Sequence, residues 1–151
     1  MLKKCIDSIR NSQAHLEAAE RMSMLVAGVV GENRLLAKVL TEMQKSASFI
    51  IDSFIYYEAF TKKIKIPMDR EKRAKLFFDK IAAKYLTEKQ IDAMKIVLKL
   101  TKKHKNSHLE FVKKDKFVIF DGNGFEILTS ERLKALIVLL NGVISGFPLK
   151  T

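Results

Sequence analysis

Two histidines four residues apart, His104 and His108, stand within the densest basic segment of the chain. On a helix that spacing places both imidazoles on one face, as in a zinc-binding pair. The neighbouring Lys102, Lys103 and Lys105 would repel a dication, and the segment contains no recognised metal motif. The spacing therefore favours two solvated histidines at a helix end, and we predict neither a metal site nor a cofactor.

The same segment carries the residue types that contact nucleic acid. Its lysines can meet phosphates, and Phe111 and Phe117 alternate with them, so base stacking could accompany the backbone contacts. The alternative is that both phenylalanines pack inward and the lysines are only solvated. The predicted nucleic-acid-binding residues are Lys99, Lys102, Lys103, His104, Lys105, Lys113, Lys114 and Lys116.

The charge balance favours a polyanionic partner. The chain has 151 residues and a formal net charge of +11, an excess that attracts nucleic acid or an anionic membrane surface. If the fold brings the basic segment and a second, distant cluster to one side, a polyanion-binding surface follows. An even spread of cations would instead make the charge incidental. The second cluster is Lys62, Lys63, Lys65, Arg70, Lys72, Arg73 and Lys75.

Motifs of known enzymes are missing, so we expect a protein that is not an enzyme. The sequence has no GxSxG, Walker A or GxGxxG pattern. Cys5, the single cysteine, lies on an apolar helix stripe, which is typical of a small core residue. A lone cysteine without a CxxC pair or a secretory signal suits the reducing cytoplasm. No apolar run reaches the roughly 18 residues of a membrane span.

Helical periodicity dominates the first hundred residues. Heptad-spaced apolar positions over 2–30, ended by Gly31 and followed by Asn33 as an N-cap, predict a helical hairpin with a second helix. The second helix ends in Tyr56, Tyr57 and Glu58, which favours an amphipathic terminus at the bundle edge. A third helix is predicted from Asp69 or Met68. The residues of this helix that we predict to point inward are Leu76, Phe77, Ile81 and Tyr85.

The last third of the chain changes its period. A capping box from Thr87 to Gln90 predicts a fourth helix. The β-prone runs within 116–128, joined by the turn-forming residues 121–124, predict one hairpin. The final helix is apolar on nearly every side, so we predict central burial or a homodimer interface. The fold class is thus mainly α, a single domain over 1–151 with about five helices and one β-hairpin before the last helix.

The motif within KKHKNSH resembles that of the HEPN family of small helical domains, which carry an arginine, a polar residue and a histidine near a late helix. Lys102 or Lys103 stands at the arginine position, Asn106 at the polar position and His108 at the histidine position. Lysine lacks the planar fork with which arginine clamps a phosphate at two points. The overall layout is also similar to that of small uncharacterised helical proteins of archaea, a similarity that implies no function.

The resemblance to HEPN domains implies a helical bundle and, in many members, a metal-independent ribonuclease acting as a dimer with facing motifs. It would make His108 the general acid–base and Lys102 or Lys103 the stabiliser of transition-state charge. A degenerate member without activity is an equally open alternative. The leading hypothesis remains a non-enzymatic nucleic-acid-associated binding module that recognises backbone charge. A structural or interaction protein with incidental charge is the other alternative.

Overall fold

The computed structural model describes residues 1–28, 34–113 and 116–149. Its helices are α1 (Leu2–Gly28), α2 (Leu35–Lys62), α3 (Arg70–Leu76), α4 (Ala82–Tyr85), α5 (Glu88–Lys105) and α6 (Ser130–Ser145). A π-helical turn, Phe77–Ile81, joins α3 to α4 directly, so these form one helical run. Its strands are β1 (Leu109–Lys113), β2 (Lys116–Phe120) and β3 (Phe125–Leu128). The predicted mainly α fold with five helices is confirmed.

The long helices α1 and α2 form the predicted hairpin. The apolar stripe of α1 buries Cys5, Ile9 and Leu16, although Leu2 at its start is exposed. Ser12 and Ser23, which interrupt this stripe, are buried. The Ser46 hydroxyl of α2 donates to the Ser12 carbonyl at 2.8 Å, so the two helices approach closely there. The predicted helix end at Gly31 and N-cap at Asn33 lie outside the described residues.

The shorter helices begin where their sequences place capping residues. The Asp69 carboxylate accepts from the Lys72 backbone N–H and caps α3. The capping box between Thr87 and Gln90 is present in full, which confirms the predicted start of α5. The π-helical turn places Phe77 and Ile81 in the core, whereas the predicted inward residues Leu76 and Tyr85 are half-buried.

The sheet has one strand more than the predicted hairpin. β2 and β3 form that hairpin around the turn 121–124, where Gly122 takes the left-handed φ of 95°. β1 pairs antiparallel with the other edge of β2, giving the strand order β1-β2-β3. The prediction of a single hairpin before the last helix therefore missed β1, which begins at Leu109, four residues after α5 ends. Leu109, Phe111 and Val112 supply a β-prone run that pairs with an otherwise open edge of β2.

α6 packs inside the bundle, where it contacts α1, α2 and α5. Its buried residues are Leu133, Leu136, Ile137, Leu140 and Val143. The sheet rests on the same core, because Phe117, Ile119 and Leu128 belong to one apolar cluster with the helices. None of the helices in the described ranges has the length and apolarity needed to cross a membrane.

Candidate nucleic-acid interface

The last turn of α5 carries four consecutive basic residues. Because successive residues of a helix point in different directions, two of them face the sheet and two face α2 and α3. Lys102, Lys103, His104 and Lys105 all stand near the negative end of the helix dipole, which stabilises cations there. Lys103 and His104 point to the sheet, while Lys102 and Lys105 point to α2 and α3. The predicted binding residues thus do not share one surface.

On the sheet side, carboxylates neutralise the basic groups. Lys103 Nζ lies 3.8 Å from one oxygen of Glu126, and Arg132 Nη1 lies 3.1 Å from the other. The His104 Nδ1 atom is hydrogen-bonded to the Glu110 carboxylate. These half-buried pairs tie α5 and α6 to β1 and β3. Lys103 and His104, both predicted to bind nucleic acid, therefore have partners within the fold.

On the opposite side, α2, α3 and α5 enclose an open groove. Two adjoining cavities of about 330 and 210 Å³ share Gln44, Glu71, Leu98 and Lys105 in their walls. We call this surface the α2–α3–α5 groove. Its polar lining residues include Gln44, Ser48, Arg70, Glu71, Lys102 and Lys105.

The α2–α3–α5 groove joins the two basic clusters that are distant in sequence. Arg70 comes from the cluster at 62–75, and Lys102 and Lys105 come from the cluster at 99–116. Across the described ranges, none of these three cations takes part in an ion pair. Arg73, also in the groove wall, is paired with Asp52 at 3.0 Å. Three cations therefore face solvent in this groove. Of its two acids, Asp52 is paired with Arg73, and Glu71 has no ion pair in the described ranges.

His108 lies away from this groove, at the turn between β2 and β3. Its backbone N–H donates to the Phe120 carbonyl at 2.7 Å, and its ring covers Gly122. A methyl group added to Gly122 would come within 3.3 Å of the ring atom Cε1. Because α5 ends at Lys105, His108 lies beyond the helix end where both histidines were expected, and the two imidazoles do not share a helix face.

The four candidate residues of the HEPN-like motif do not come together at one site in one chain. Lys102 lines the α2–α3–α5 groove, Lys103 pairs with Glu126, and His108 packs against the β2–β3 turn. Asn106, the polar residue of the motif, also lines the groove.

The remaining predicted lysines lie on exposed surfaces. Lys99 is exposed on α5, one turn before Lys103. Lys113 and Lys116 are exposed and directly opposite each other where β1 and β2 join. Lys114 lies outside the described residues. Phe117 points into the core, as the alternative interpretation of the segment predicted, whereas Phe111 is half-buried on the opposite face of the sheet.

A second charged centre was not foreseen, because its partners are far apart in sequence. Glu58 of α2 is only 1% exposed, so the expectation of a helix terminus at the bundle edge is wrong at this residue. Its carboxylate accepts a 2.8 Å hydrogen bond from the Tyr85 hydroxyl and lies 3.4 Å from Lys84 Nζ and 3.7 Å from Lys62 Nζ. We call this group the Glu58 centre.

The Glu58 centre shifts the pKa values of its members. Burial disfavours the charged carboxylate, but the Tyr85 hydrogen bond and the charges of Lys84 and Lys62 outweigh it and hold the pKa of Glu58 below its ordinary value. Burial, together with the hydrogen bond to Glu58, raises the pKa of the Tyr85 hydroxyl to about 12. The centre therefore contains an ionised acid and a neutral phenol at neutral pH.

Comparisons of the chain with protein-family models, with curated proteins and with solved structures found no match. In the parts of the chain that the structure describes, no three His, Cys, Asp or Glu side chains come together as metal ligands. The described structure itself defines the class of protein: a mainly helical bundle with a three-stranded antiparallel sheet and a cationic groove.

Proposed function

We propose that this protein is a non-enzymatic binding module for nucleic acid that recognises backbone charge in the α2–α3–α5 groove. The observation that supports the proposal is that Arg70 lines the same groove as Lys102 and Lys105, which are more than thirty residues away in sequence. Their charges have no ion-pair partner in the described ranges, so they are available to phosphates. Gln44 and Asn106 add amide donors beside them.

Arginine and lysine differ in what they would contribute to this groove. The planar guanidinium of Arg70 can donate two parallel hydrogen bonds to one phosphate, whereas the ammonium groups of Lys102 and Lys105 act as point charges. Neither contact distinguishes one base from another. The groove is therefore expected to bind nucleic acid with little sequence preference and with strong dependence on salt.

The proposal is tested by fluorescence anisotropy with labelled RNA and DNA at low salt. The variant Arg70→Glu/Lys102→Glu/Lys105→Glu should bind at least tenfold more weakly than the wild type. A matched control, Lys3→Glu/Arg10→Glu/Lys89→Glu, changes the same number of exposed cations outside the groove. The control should retain most of the affinity. Absence of wild-type binding at low salt, or equal losses in both variants, would refute the proposal.

A metal-independent ribonuclease is the alternative function, and the exposed ring of His108 supports it. In this alternative His108 acts as general acid–base, and Lys102 or Lys103 stabilises the charge of the transition state. Because neither Lys102 nor Lys103 shares its surroundings with His108 in one chain, a second chain would have to complete the site. RNA cleavage that persists with a chelator and is lost in His108→Ala would establish this activity.

A homodimer and a cytoplasmic location stay predictions. The physical reason first given for the dimer is weaker now, because most apolar residues of α6 are buried in their own chain. The large apolar residue of α6 that stays exposed is Val138, at 68%. It lines a cleft of about 320 Å³ between α1 and α6, and Met24 of α1 lines the same cleft. Sedimentation of the wild type and of Val138→Glu tests whether this cleft joins two copies.

A further inference from the structure

The sheet has one face on the helices and another on solvent. Val112, Phe117, Ile119 and Leu128 lie on the inward face, within the apolar core or against it. Because successive side chains of a strand alternate between faces, the register assigns the other set to the outward face. The outward residues are Leu109, Phe111, Lys113, Lys116, Val118, Phe120, Phe125 and Ile127.

These outward residues form three rows that run across the strands. Two rows are wholly apolar and the third, at one end of the sheet, is wholly basic. The rows are Leu109 with Phe120 and Phe125, then Phe111 with Val118 and Ile127, then Lys113 with Lys116. We call this surface the outer sheet face.

The apolar rows of the outer sheet face are mostly exposed on the edge strands, while Val118 at the centre, opposite Phe111 and Ile127, is only 7% exposed. Leu109 is 53% exposed, Phe125 is 61% exposed and Ile127 is 42% exposed. None of the six apolar residues of the two rows belongs to the core cluster. Exposed apolar residues that are neighbours in a sheet form a contiguous patch, which marks a binding surface more strongly than single exposed residues elsewhere, such as Met68 and Phe60.

The residue types of the outer sheet face indicate what would bind there. The rings of Phe120 and Phe125 are stacked with centroids 4.8 Å apart, and Phe111 adds a third ring in the next row. Unpaired bases stack on such rings, whatever their sequence. Lys113 and Lys116 place two like charges directly opposite each other, which is unfavourable in an isolated sheet and is relieved by an anion.

A second copy of the chain fits this face less well. Protein interfaces of ordinary size take about 20–30 residues from each side. The face has three residues from β1, three from β2 and two from β3, eight in all. A twofold pairing would also set the basic row against either an apolar row or the partner's basic row, and both arrangements are unfavourable.

We infer that the outer sheet face is a stacking platform for the bases of single-stranded nucleic acid, with Lys113 and Lys116 meeting its phosphates. The inference rests on the proposed function and names its substrate class. The α2–α3–α5 groove would contact backbone charge alone, and the platform would select strands whose bases are unpaired. Duplex bases are already stacked on each other and cannot use the platform.

The test compares two labelled single strands of equal length, one with bases and one abasic, so that both carry the same phosphates. The strand with bases should bind roughly 5- to 150-fold more tightly, the range expected for one stacked base. Phe125→Leu, which keeps the apolar bulk but removes the ring, should lose most of this difference. Phe125→Tyr, which keeps the ring, should retain it.

Ile127→Ala is the matched control, since it removes an exposed apolar side chain of the same face that has no ring. It should change the affinity for the strand with bases less than twofold. Equal losses in Phe125→Leu and Ile127→Ala would overturn the inference and indicate general apolar contact. A wild-type dimer that Phe125→Lys converts to monomer would also overturn it, because the face would then join two copies.

The outcomes separate this inference from the proposed function. If both strands bind equally and the charge reversal of Arg70, Lys102 and Lys105 still weakens them, the platform is refuted and the groove stands. If neither strand binds to the wild type at low salt, the proposed function itself has failed.

Discussion

Two cationic regions of this molecule differ in how their charges are balanced. At the Glu58 centre, Lys62 and Lys84 surround a buried carboxylate that also accepts from Tyr85. In the α2–α3–α5 groove, Lys102 and Lys105 have no ion-pair partner in the described part of the chain. The comparison teaches that a net charge of +11 does not identify a binding surface. The distance from each cation to a carboxylate separates cations of the fold from cations available to a ligand.

The largest effect is expected from removal of the acid in the Glu58 centre. Glu58→Ala leaves two ammonium groups without their counter-charge and the Tyr85 hydroxyl without its acceptor. We expect the free energy of unfolding to fall by about 2–4 kcal/mol, because the Tyr85 hydroxyl loses a charged acceptor and the missing side chain leaves a cavity. Urea unfolding followed by circular dichroism measures this. Glu17→Gln, on the exposed surface of α1, should stay within about 0.5 kcal/mol of the wild type.

The next effect tests the hydrogen bond alone. Tyr85→Phe removes the hydroxyl that donates to Glu58 at 2.8 Å and leaves the ring in place. A hydrogen bond to a charged group contributes about 1.5–3 kcal/mol, so the free energy of unfolding should fall by that amount. The same denaturant titration measures it. A loss below about 0.5 kcal/mol would mean that the Glu58 carboxylate is held by its lysines only.

A smaller effect should appear in the dependence of stability on pH. Because the fold lowers the pKa of Glu58, ionised Glu58 stabilises the protein above its unfolded-state pKa, near 4.5. This contribution is lost as pH falls through the lowered pKa of the folded state. The stability advantage of the wild type over Glu58→Gln should therefore shrink from pH 7 to pH 3. An advantage that stays constant over this range would contradict the pKa shift.

The difference between the two regions is tested most sharply by replacing one lysine in each. For both variants, the free energy of unfolding and the affinity for an oligonucleotide are measured. Lys84→Ala should lower the free energy of unfolding, because it removes one of the two positive charges beside the Glu58 carboxylate, and should leave oligonucleotide binding unchanged. Lys102→Ala should do the reverse, with stability within about 0.5 kcal/mol and several-fold weaker binding. If both variants changed both properties alike, the division into two kinds of cation would be wrong.

Local signals in the sequence predicted much of this fold. Asp69, Thr87 and Gln90 define helix starts through contacts within three residues, and the turn 121–124 defines a hairpin in the same way. The strand β1 was missed because its pairing depends on β2 and its lysines resemble the basic end of α5. Strand pairing is a tertiary property, and here it overrides the local composition.

The candidate sites depended still more on distant contacts. Nothing near Glu58 in sequence indicates that Tyr85 and Lys84 will reach it, 26 or 27 residues later. The basic segment 99–116 was identified as a unit, but the rotation of α5 divides it. Lys103 and His104 turn to carboxylates of the sheet, and Lys102 turns to the groove. Sequence composition therefore identified the cations but could not assign their partners.

The most direct test of the central claim is the salt dependence of oligonucleotide binding. If Arg70, Lys102 and Lys105 each meet a phosphate, their joint replacement by glutamine should reduce the slope of log Kd against log salt by about 2–3. The control Lys3→Gln/Arg10→Gln/Lys89→Gln should keep the wild-type slope. Equal slopes in the groove variant and the wild type would contradict the claim that this groove binds the nucleic-acid backbone.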